Sequence, residues 1–376
     1  MHLKKLSLIN FKNYPEAEMS FSGDANAFVG NNGSGKTNLL DAIHYLSLCK
    51  SYFNPADNQN IRHAADFLLV QGTYELSGRE ELIHCGLKRN ARKVFKRNNK
   101  EYERLADHIG LLPVVMISPV DSMLITEGSE ERRKFIDSII SQYDKRYLDD
   151  LISYNKIVAH RNALLKQFAQ SRSFDAASLE VWDEQLVPLA DKLFVKRHEF
   201  ISRFGPIFQQ HYNYITDAKE DVSVLYESHL EEGNFTATLS AALEKDRMMQ
   251  YTTKGIHKDD LVFSLGDYPV KRFASQGQQK SFLIALKLAQ FQFIKEITGV
   301  KPILLLDDIF DKLDDSRVTR LMELVSKESF GQLFISDTHP ERVQKIFHDI
   351  GIPIRVFEVE NGAVKNDSVL SSHEPA

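Results

Sequence analysis

The residues from Gly30 to Thr37, GNNGSGKT, carry the clearest chemistry in the chain. They satisfy G-x-x-x-x-G-K-[ST] at every fixed position. Gly30, Gly33 and Gly35 let the backbone wrap closely, so that amides along Asn31, Asn32 and Ser34 turn toward phosphate oxygens. A helix starting near Lys36 adds its positive N-terminus. Lys36 is expected to reach the β and γ phosphates of a nucleoside triphosphate, and the Thr37 hydroxyl to ligate Mg²⁺. The flanks agree: NAFVG is a short apolar strand entering the loop, and TNLLDAIHYLSL is an amphipathic helix leaving it.

Such a loop needs a metal acid at the end of a buried strand. In KPILLLDDIFDKLD, the apolar run Ile303 to Leu306 suits a central parallel strand covered on both faces. Asp307 emerges where that strand ends and is expected to hold Mg²⁺. Asp308 follows, placed to polarise an attacking water. Many ATPases of this plan carry glutamate at the second position, and aspartate is one methylene shorter. Displacing a catalytic base by about 1 Å costs on the order of 100-fold. Slow hydrolysis is therefore expected, which suits a timer or switch better than a rapid motor.

Ser275, Gln276, Gly277 and Gln278 precede a long helix with apolar residues at Leu283, Leu286, Ala289 and Phe293. Ser275 and Gln278 have the spacing of a capping box. Gly277 adds little to a cap but permits close approach of a phosphate, and the helix N-terminus favours an anion. One chain thus carries two phosphate-binding surfaces. They close if two copies face each other, each completing the other's site in a two-fold arrangement held by nucleotide.

The elements positioning these residues come from both ends of the chain. With 376 residues and 43% apolar content, there is material for two or three domains. Residues 1–117 read as the strand-rich first part of an α/β ATPase lobe. Residues 118–254 space apolar positions by three and four, as an inserted helical lobe does. Residues 255–364 return to the α/β lobe, and 365–376 read as a disordered tail. Pro188 is expected to bend a long helix. No run of about 18 apolar residues is present to span a membrane. The first residues lack the features of a signal peptide. Cys49 and Cys85 stand alone, which argues against a zinc site and fits a reducing cytoplasm.

Net charge is −5, so any nucleic acid must be met by a local patch. Lys88, Arg89, Arg92, Lys93, Lys96 and Arg97 cluster around KRNNK, which reads as a hairpin turn. A basic hairpin can lie along a phosphate backbone without reading bases. The plainer alternative is a solvated strand face. Arg132 and Arg133 begin a helix, where a structural tie is favoured over a phosphate contact.

The P-loop, SQGQQ and LLLLDD, in this order, resemble the ABC-type ATPase heads. Within these, the chain closely resembles the RecF family of bacterial DNA replication and repair proteins. The likeness includes LSLINFKNY, SPVDSMLITEGSEERRKFID, HRNALLK and GIHKDDL, which are more diagnostic than the ATPase motifs. It departs at Val120, Ser129, Lys258, Lys280 and the pair Asp311–Lys312. No glutamine stands in VVMISP, where ATPase heads often place one to sense γ-phosphate.

The resemblance implies an ABC-type P-loop head that binds ATP and Mg²⁺, dimerises on ATP, binds duplex and gapped DNA, and hydrolyses slowly. It also implies work with RecR and RecO in loading RecA onto single-stranded DNA. It favours DNA contact for the basic hairpin. It points to His339 as a γ-phosphate contact, with Asp337 and Thr338 as alternatives, and places Lys12 and Asn13 near the nucleotide. The rival readings are a transporter ATPase subunit and a non-hydrolysing scaffold. Against the first stand the RecF-like stretches and the helical insertion; against the second stand intact Lys36, Thr37, Asp307 and Asp308.

Overall fold

The computed structural model describes every residue except 218, 219, 232, 311–314, 328, 329 and 371–376. In chain order the elements are β1 (His2–Phe11), β2 (Tyr14–Ser20), β3 (Ala25–Val29), α1 (Lys36–Leu48), β4 (Phe67–Leu76), β5 (Arg79–Lys88), β6 (Val94–Arg97), β7 (Lys100–Glu101) and β8 (Val114–Ile117). Then follow α2 (Met123–Thr126), α3 (Ser129–Ser141), α4 (Lys145–Ser171), α5 (Ala176–Thr216), β9 (Val222–Glu227), α6 (Phe235–Met249), β10 (Asp260–Leu265), β11 (Tyr268–Pro269) and α7 (Val270–Phe273). The chain finishes with α8 (Gln276–Thr298), β12 (Ile303–Asp307), α9 (Asp315–Lys327), β13 (Leu333–Asp337), α10 (Pro340–Asp349), β14 (Ile354–Glu360) and β15 (Ala363–Leu370).

The chain divides into two units. The first holds Met1–Ser122, His211–Ala218 and Lys280–Ala376. Its parallel sheet has the order β15-β14-β3-β13-β12-β8, with β15 antiparallel at the edge. Every residue of β3, β12 and β13 is buried, as strands covered on both faces require. The second sheet, ordered β2-β1-β4-β5-β6-β7, is antiparallel. Helix α1 supplies Leu39, Leu40, Ile43 and Leu46 to a core that also takes Leu6, Leu8 and Val70 from this sheet and Phe28, Leu305 and Phe334 from the parallel one. Only Thr37 and Asn38 of α1 escape burial, the pattern of a helix with no solvent face.

The second unit holds Met123–Gln210 and Lys219–Gln279. It contains α3, α4 and α6, most of α5, and the small sheet β11-β10-β9. Two arginines lie wholly inside it. Arg161 donates to Asp183 and Asp246, both at 2.6 Å. Arg197 donates to Asp137 and Asp259, both at 2.9 Å, and to the Ile256 carbonyl at 2.8 Å. Nearby, Arg132 forks onto Asp260 at 2.6 and 2.9 Å, and Arg133 donates to the Asp259 carbonyl and to Ser129 Oγ. Breaking one partner of such a pair leaves an uncompensated buried charge.

Three differences from the sequence reading have physical causes. Val222–Glu227 is a strand within a stretch read as helical; its alternating burial matches pairing with β10. Residues 255–279 fold with the helical unit, because β10 pairs β9 and its Asp260 binds Arg132. Residues 365–370 are not a loose tail, since β15 pairs β14 through Leu370; residues 371–376 lie outside the described residues. So do Asp311 and Lys312. Pro188 and Pro206 both lie within the single helix α5.

Buried imidazoles give the fold a pH signature. His108 Nε2 lies 2.6 Å from the Leu46 carbonyl, and His257 Nε2 lies 2.9 Å from that of Thr252. A carbonyl only accepts, so each Nε2 carries the proton and each Nδ1 accepts, from Tyr102 at 3.2 Å and Tyr154 at 2.8 Å. Burial lowers His44, His108 and His257 to about 4. Between pH 6.5 and 4 the unfolded chain therefore binds more protons, and stability falls as pH falls. Asp259, raised by burial to about 6, acts in the opposite sense between pH 3.8 and 6, as a single group against three. The urea midpoint is expected to drop between pH 7.5 and 5.5, each imidazole contributing about 1 kcal/mol. A midpoint unchanged over that interval would contradict the neutral, enclosed histidines.

Candidate functional site

Parallel pairing lines up the C-terminal ends of four strands. Val29 of β3 faces Asp337 of β13, Ser336 faces Asp307 of β12, and Leu306 faces Ile117 of β8. The residues after these ends, Gly30, Thr338, Asp308 and Ser118, share one edge of the sheet, where open α/β sheets bind ligands.

The loop after β3 takes the backbone its glycines allow. Gly30, Gly33 and Gly35 have φ of 149°, 78° and 119°. A Cβ on Gly30 would stand 2.2 Å from the Val359 carbonyl oxygen, and one on Gly35 2.5 Å from Asn13 Nδ2. The loop is braced from behind. Asn13 Nδ2 donates to the Ser34 carbonyl at 3.0 Å, as does the Gly362 amide at 2.9 Å. Tyr14 OH donates to the Gly35 carbonyl at 3.1 Å. Asn38 Nδ2 in turn donates to Asn13 Oδ1 at 2.7 Å. Asn13 is thus a brace for the loop, while Lys12 forms a buried ion pair with Asp41.

The loop fits a phosphate group on three observations. Ser34 Oγ is buried with no hydrogen-bond partner. No side chain caps α1, and its first turn holds no acid, so the positive end of the helix dipole meets no competing carboxylate from its own turn. Lys36, 6% exposed, folds its ammonium over the loop, 2.7 Å from the Gly30 carbonyl and 2.9 Å from that of Asn31.

Asp307 gathers the neighbouring strand ends. Its Oδ1 accepts from Thr37 Oγ1 and from Ser336 Oγ, each at 2.8 Å, and its Oδ2 accepts from Ser118 Oγ at 3.1 Å. A carboxylate with a threonine hydroxyl beside it is the hard oxygen set that Mg²⁺ prefers. Asp308 has φ 50°, and its amide donates to Ser336 Oγ at 3.0 Å. A non-glycine residue in that region is uncommon, and aspartate tolerates it better than most. Ser118 and Ser336 were not singled out from sequence. The available signal was a hydroxyl at or just beyond the end of a buried parallel strand.

Beyond β13, the three residues considered for γ-phosphate separate in role. Asp337 is fully buried, holds Arg342 at 2.7 Å and accepts from the His339 amide at 2.7 Å. Thr338 Oγ1 and His339 Nδ1 are 2.8 Å apart, and the His339 side chain is 61% exposed. His339 is therefore open to a ligand, whereas the Asp337 carboxylate is occupied.

In the second unit, Ser275 and Gln278 form the expected reciprocal box. Gln278 N donates to Ser275 Oγ at 3.2 Å, and Ser275 N to Gln278 Oε1 at 2.8 Å. Ser275 and Gln276 are exposed, Gly277 and Gln278 half-buried. Capping uses a lone pair of the Ser275 hydroxyl and leaves its proton to donate.

The basic hairpin is less uniformly available than its sequence implies. Asn98 and Asn99, with φ of 50° and 67°, make the turn between β6 and β7. Lys88, Arg89 and Arg92 are exposed, the two arginines anchored to backbone carbonyls; Lys96 is half-buried. Lys93 turns inward, its ammonium 2.7 Å from Asp57 and over the Tyr45 ring. Arg97 is held by Glu81 at 2.7 and 2.8 Å.

The sequence matches the family model for the RecF/RecN/SMC N-terminal domain over residues 2–365. It is 53% identical to the DNA replication and repair protein RecF of Flavobacterium johnsoniae, over 96% of this chain and 100% of that one. It is 52% identical to RecF of Phocaeicola vulgatus, over 97% and 98%. The chain belongs to the RecF family of DNA replication and repair proteins. A structure of the recombination mediator protein RecF with ATP, in the RecFOR pathway, aligns with TM-score 0.87 at 28% identity, over 98% of both chains. An Smc head bound to part of ScpA aligns with TM-score 0.58 at 18% identity and shows a shared fold. This RecF-family chain therefore has the ABC-type head fold, and the transporter-subunit alternative is set aside. Among the described residues no helix is long and apolar enough to cross a membrane.

The brace behind the loop gives a direct test. Asn13→Ala removes one bond to the Ser34 carbonyl and another from Asn38, a loss of about 1–2 kcal/mol or roughly 5- to 30-fold in nucleotide affinity. Titration with a fluorescent ATP analogue measures it. Wild-type affinity in a folded Asn13→Ala protein would show that the brace is dispensable.

Proposed function

We propose that this RecF-family protein is an ATP-dependent DNA clamp acting in recombinational repair of gaps and stalled forks. The observation that carries the reading is the pair of phosphate surfaces: a complete glycine-loop cradle, and an exposed Ser275 whose hydroxyl accepts from the Gln278 amide yet keeps a proton to donate. ATP occupies Gly30–Thr37. Thr37 and Asp307 hold Mg²⁺, which when bound neutralises charge on the phosphates. Lys36 leaves its loop carbonyls for the phosphates, and Ser275–Gln278 of a second copy closes over them. Asp308 orients water for slow hydrolysis, and His339 contacts the terminal phosphate. Opening of the dimer then releases DNA.

Support for the DNA reading comes from the relatives' names and from the exposed Lys88, Arg89 and Arg92 beside Lys96. The solved RecF bears the description of a recombination mediator. By extension, RecR and RecO are the partners proposed here, RecA loading is the outcome, and the cytoplasm is the setting.

Fluorescence anisotropy with a short duplex tests the proposal. Wild-type protein should bind DNA more tightly with ATP–Mg²⁺ than without nucleotide. The Lys88→Gln/Arg92→Gln variant should lower the salt slope of log K by about 2. Arg97→Gln should leave that slope unchanged, because Glu81 already holds its guanidinium. Equal DNA binding with and without nucleotide would contradict the clamp, and an unchanged slope in the double variant would remove the hairpin from the interface.

A further inference from the structure

Three buried groups in the first unit are not used by the reading above. Lys287 lies in α8, three turns beyond the signature turn that starts this helix. Its side chain and that of Asp121 are each 5% exposed, and the ammonium stands 2.8 Å from Asp121 Oδ1. Lys287 also donates to Tyr52 OH at 2.9 Å, and Tyr52 OH donates to Asp121. Asp121 Oδ2 accepts from the Ser118 amide at 2.8 Å. The Ser118 hydroxyl then donates to Asp307 Oδ2 at 3.1 Å. A continuous path of contacts thus runs from the metal acid to the middle of the signature helix.

An apolar pair of similar volume would serve packing at least as well as Lys287 and Asp121. Burying two charges costs several kcal/mol per ion, and replacement by well-packed apolar residues is often neutral or stabilising. What a charged pair adds is geometry. Asp121 holds Ser118 by its backbone amide, and with the Lys287 ion pair in place the Ser118 hydroxyl faces Asp307. Asp307 is also the acceptor of the Thr37 hydroxyl. A ligand that draws Thr37 and Asp307 into new bonds competes for the carboxylate that Ser118 faces, and Ser118 is joined to α8 through Asp121 and its ion pair with Lys287.

We infer that Ser118, Asp121 and Lys287 are positioning residues that report occupancy of the Asp307–Thr37 site to the signature helix. This rests on the nucleotide-binding reading and extends it. The three residues couple nucleotide to helix α8 within one copy, before any second copy arrives. Coupling of this kind is a free energy shared between two sites, and it is measurable at either.

Hydrogen exchange on the full-length protein tests it, with Mg²⁺ and a non-hydrolysable ATP analogue as probe. The measurements use a Ser275→Arg background, which blocks closure of two copies, so that protection arises within one. In this parent, nucleotide should slow exchange in Gly30–Asn38 and, by about fivefold or more, in the first three turns of α8. Ser118→Ala and Lys287→Met/Asp121→Asn should keep the protection of Gly30–Asn38 and lose that of α8. Ser118→Thr, which restores the hydroxyl, should regain it.

Retention of α8 protection in both variants would overturn the inference, as would its absence in the parent. Loss of both protections together in the variants would also overturn it, leaving the three residues as supports of the binding loop. Missing protection of Gly30–Asn38 in the wild-type protein would overturn the nucleotide reading itself, and is told apart because it appears without any substitution. Protection of α8 within one copy stands whether or not ATP later pairs two copies.

Discussion

The ATPase end of this protein depends on one carboxylate. Asp307 ends a strand buried at every position, and three hydroxyls from three other segments converge on it. Thr37 brings the glycine loop, Ser118 the segment after β8, and Ser336 the end of β13. Burial makes these bonds matter, since an ionised oxygen out of water must be satisfied by the protein. The same burial makes the site selective. A carboxylate already ringed by hydroxyls is suited to a hard cation carrying phosphate and offers little to a soft one. The parallel sheet is what brings the four segments together, because parallel pairing alone puts successive strand ends on one edge.

The second unit is organised by charge in a different way. Arg161 and Arg197 are buried and paired, and Arg132 and Arg133 are tied to the segment of Asp259 and Asp260. Most of these residues fall in the stretches that mark the RecF family, EERRKFID, HRNALLK and GIHKDDL. Their structural work is to fix helices α3, α4 and α5 against each other and against β10. An ion pair with little exposed surface tolerates few alternative arrangements. The surface that presents Ser275–Gln278 is therefore built on a well-specified unit.

What was legible in the sequence was local. The glycine loop, the apolar run before Asp307 and the Ser275–Gln278 box each depend on neighbours within a few residues, and each takes the expected form. The slow-base argument for Asp308 concerns one methylene, although its left-handed backbone was not foreseeable from composition. The misses were mostly long-range. Lys93 counts as a surface charge until β5 and β6 bring it to Asp57 and Tyr45. Val222–Glu227 reads as helix until β10 pairs with it, and residues 365–370 read as loose until β14 does. Ser118 and Ser336 are unremarkable serines until the sheet sets both beside Asp307. In each case but that of residues 365–370, whose partner β14 is the other arm of a short hairpin, the deciding partner lies far along the chain.

The central claim is that nucleotide in the glycine loop closes two copies on each other. The most direct measurement is molar mass by light scattering, with and without ATP–Mg²⁺, for the wild-type protein and for Lys36→Met. A mass that doubles with ATP–Mg²⁺ in the wild type and stays that of a monomer in the variant is the result expected. A wild-type protein that binds ATP yet remains monomeric at every concentration tested would contradict the account.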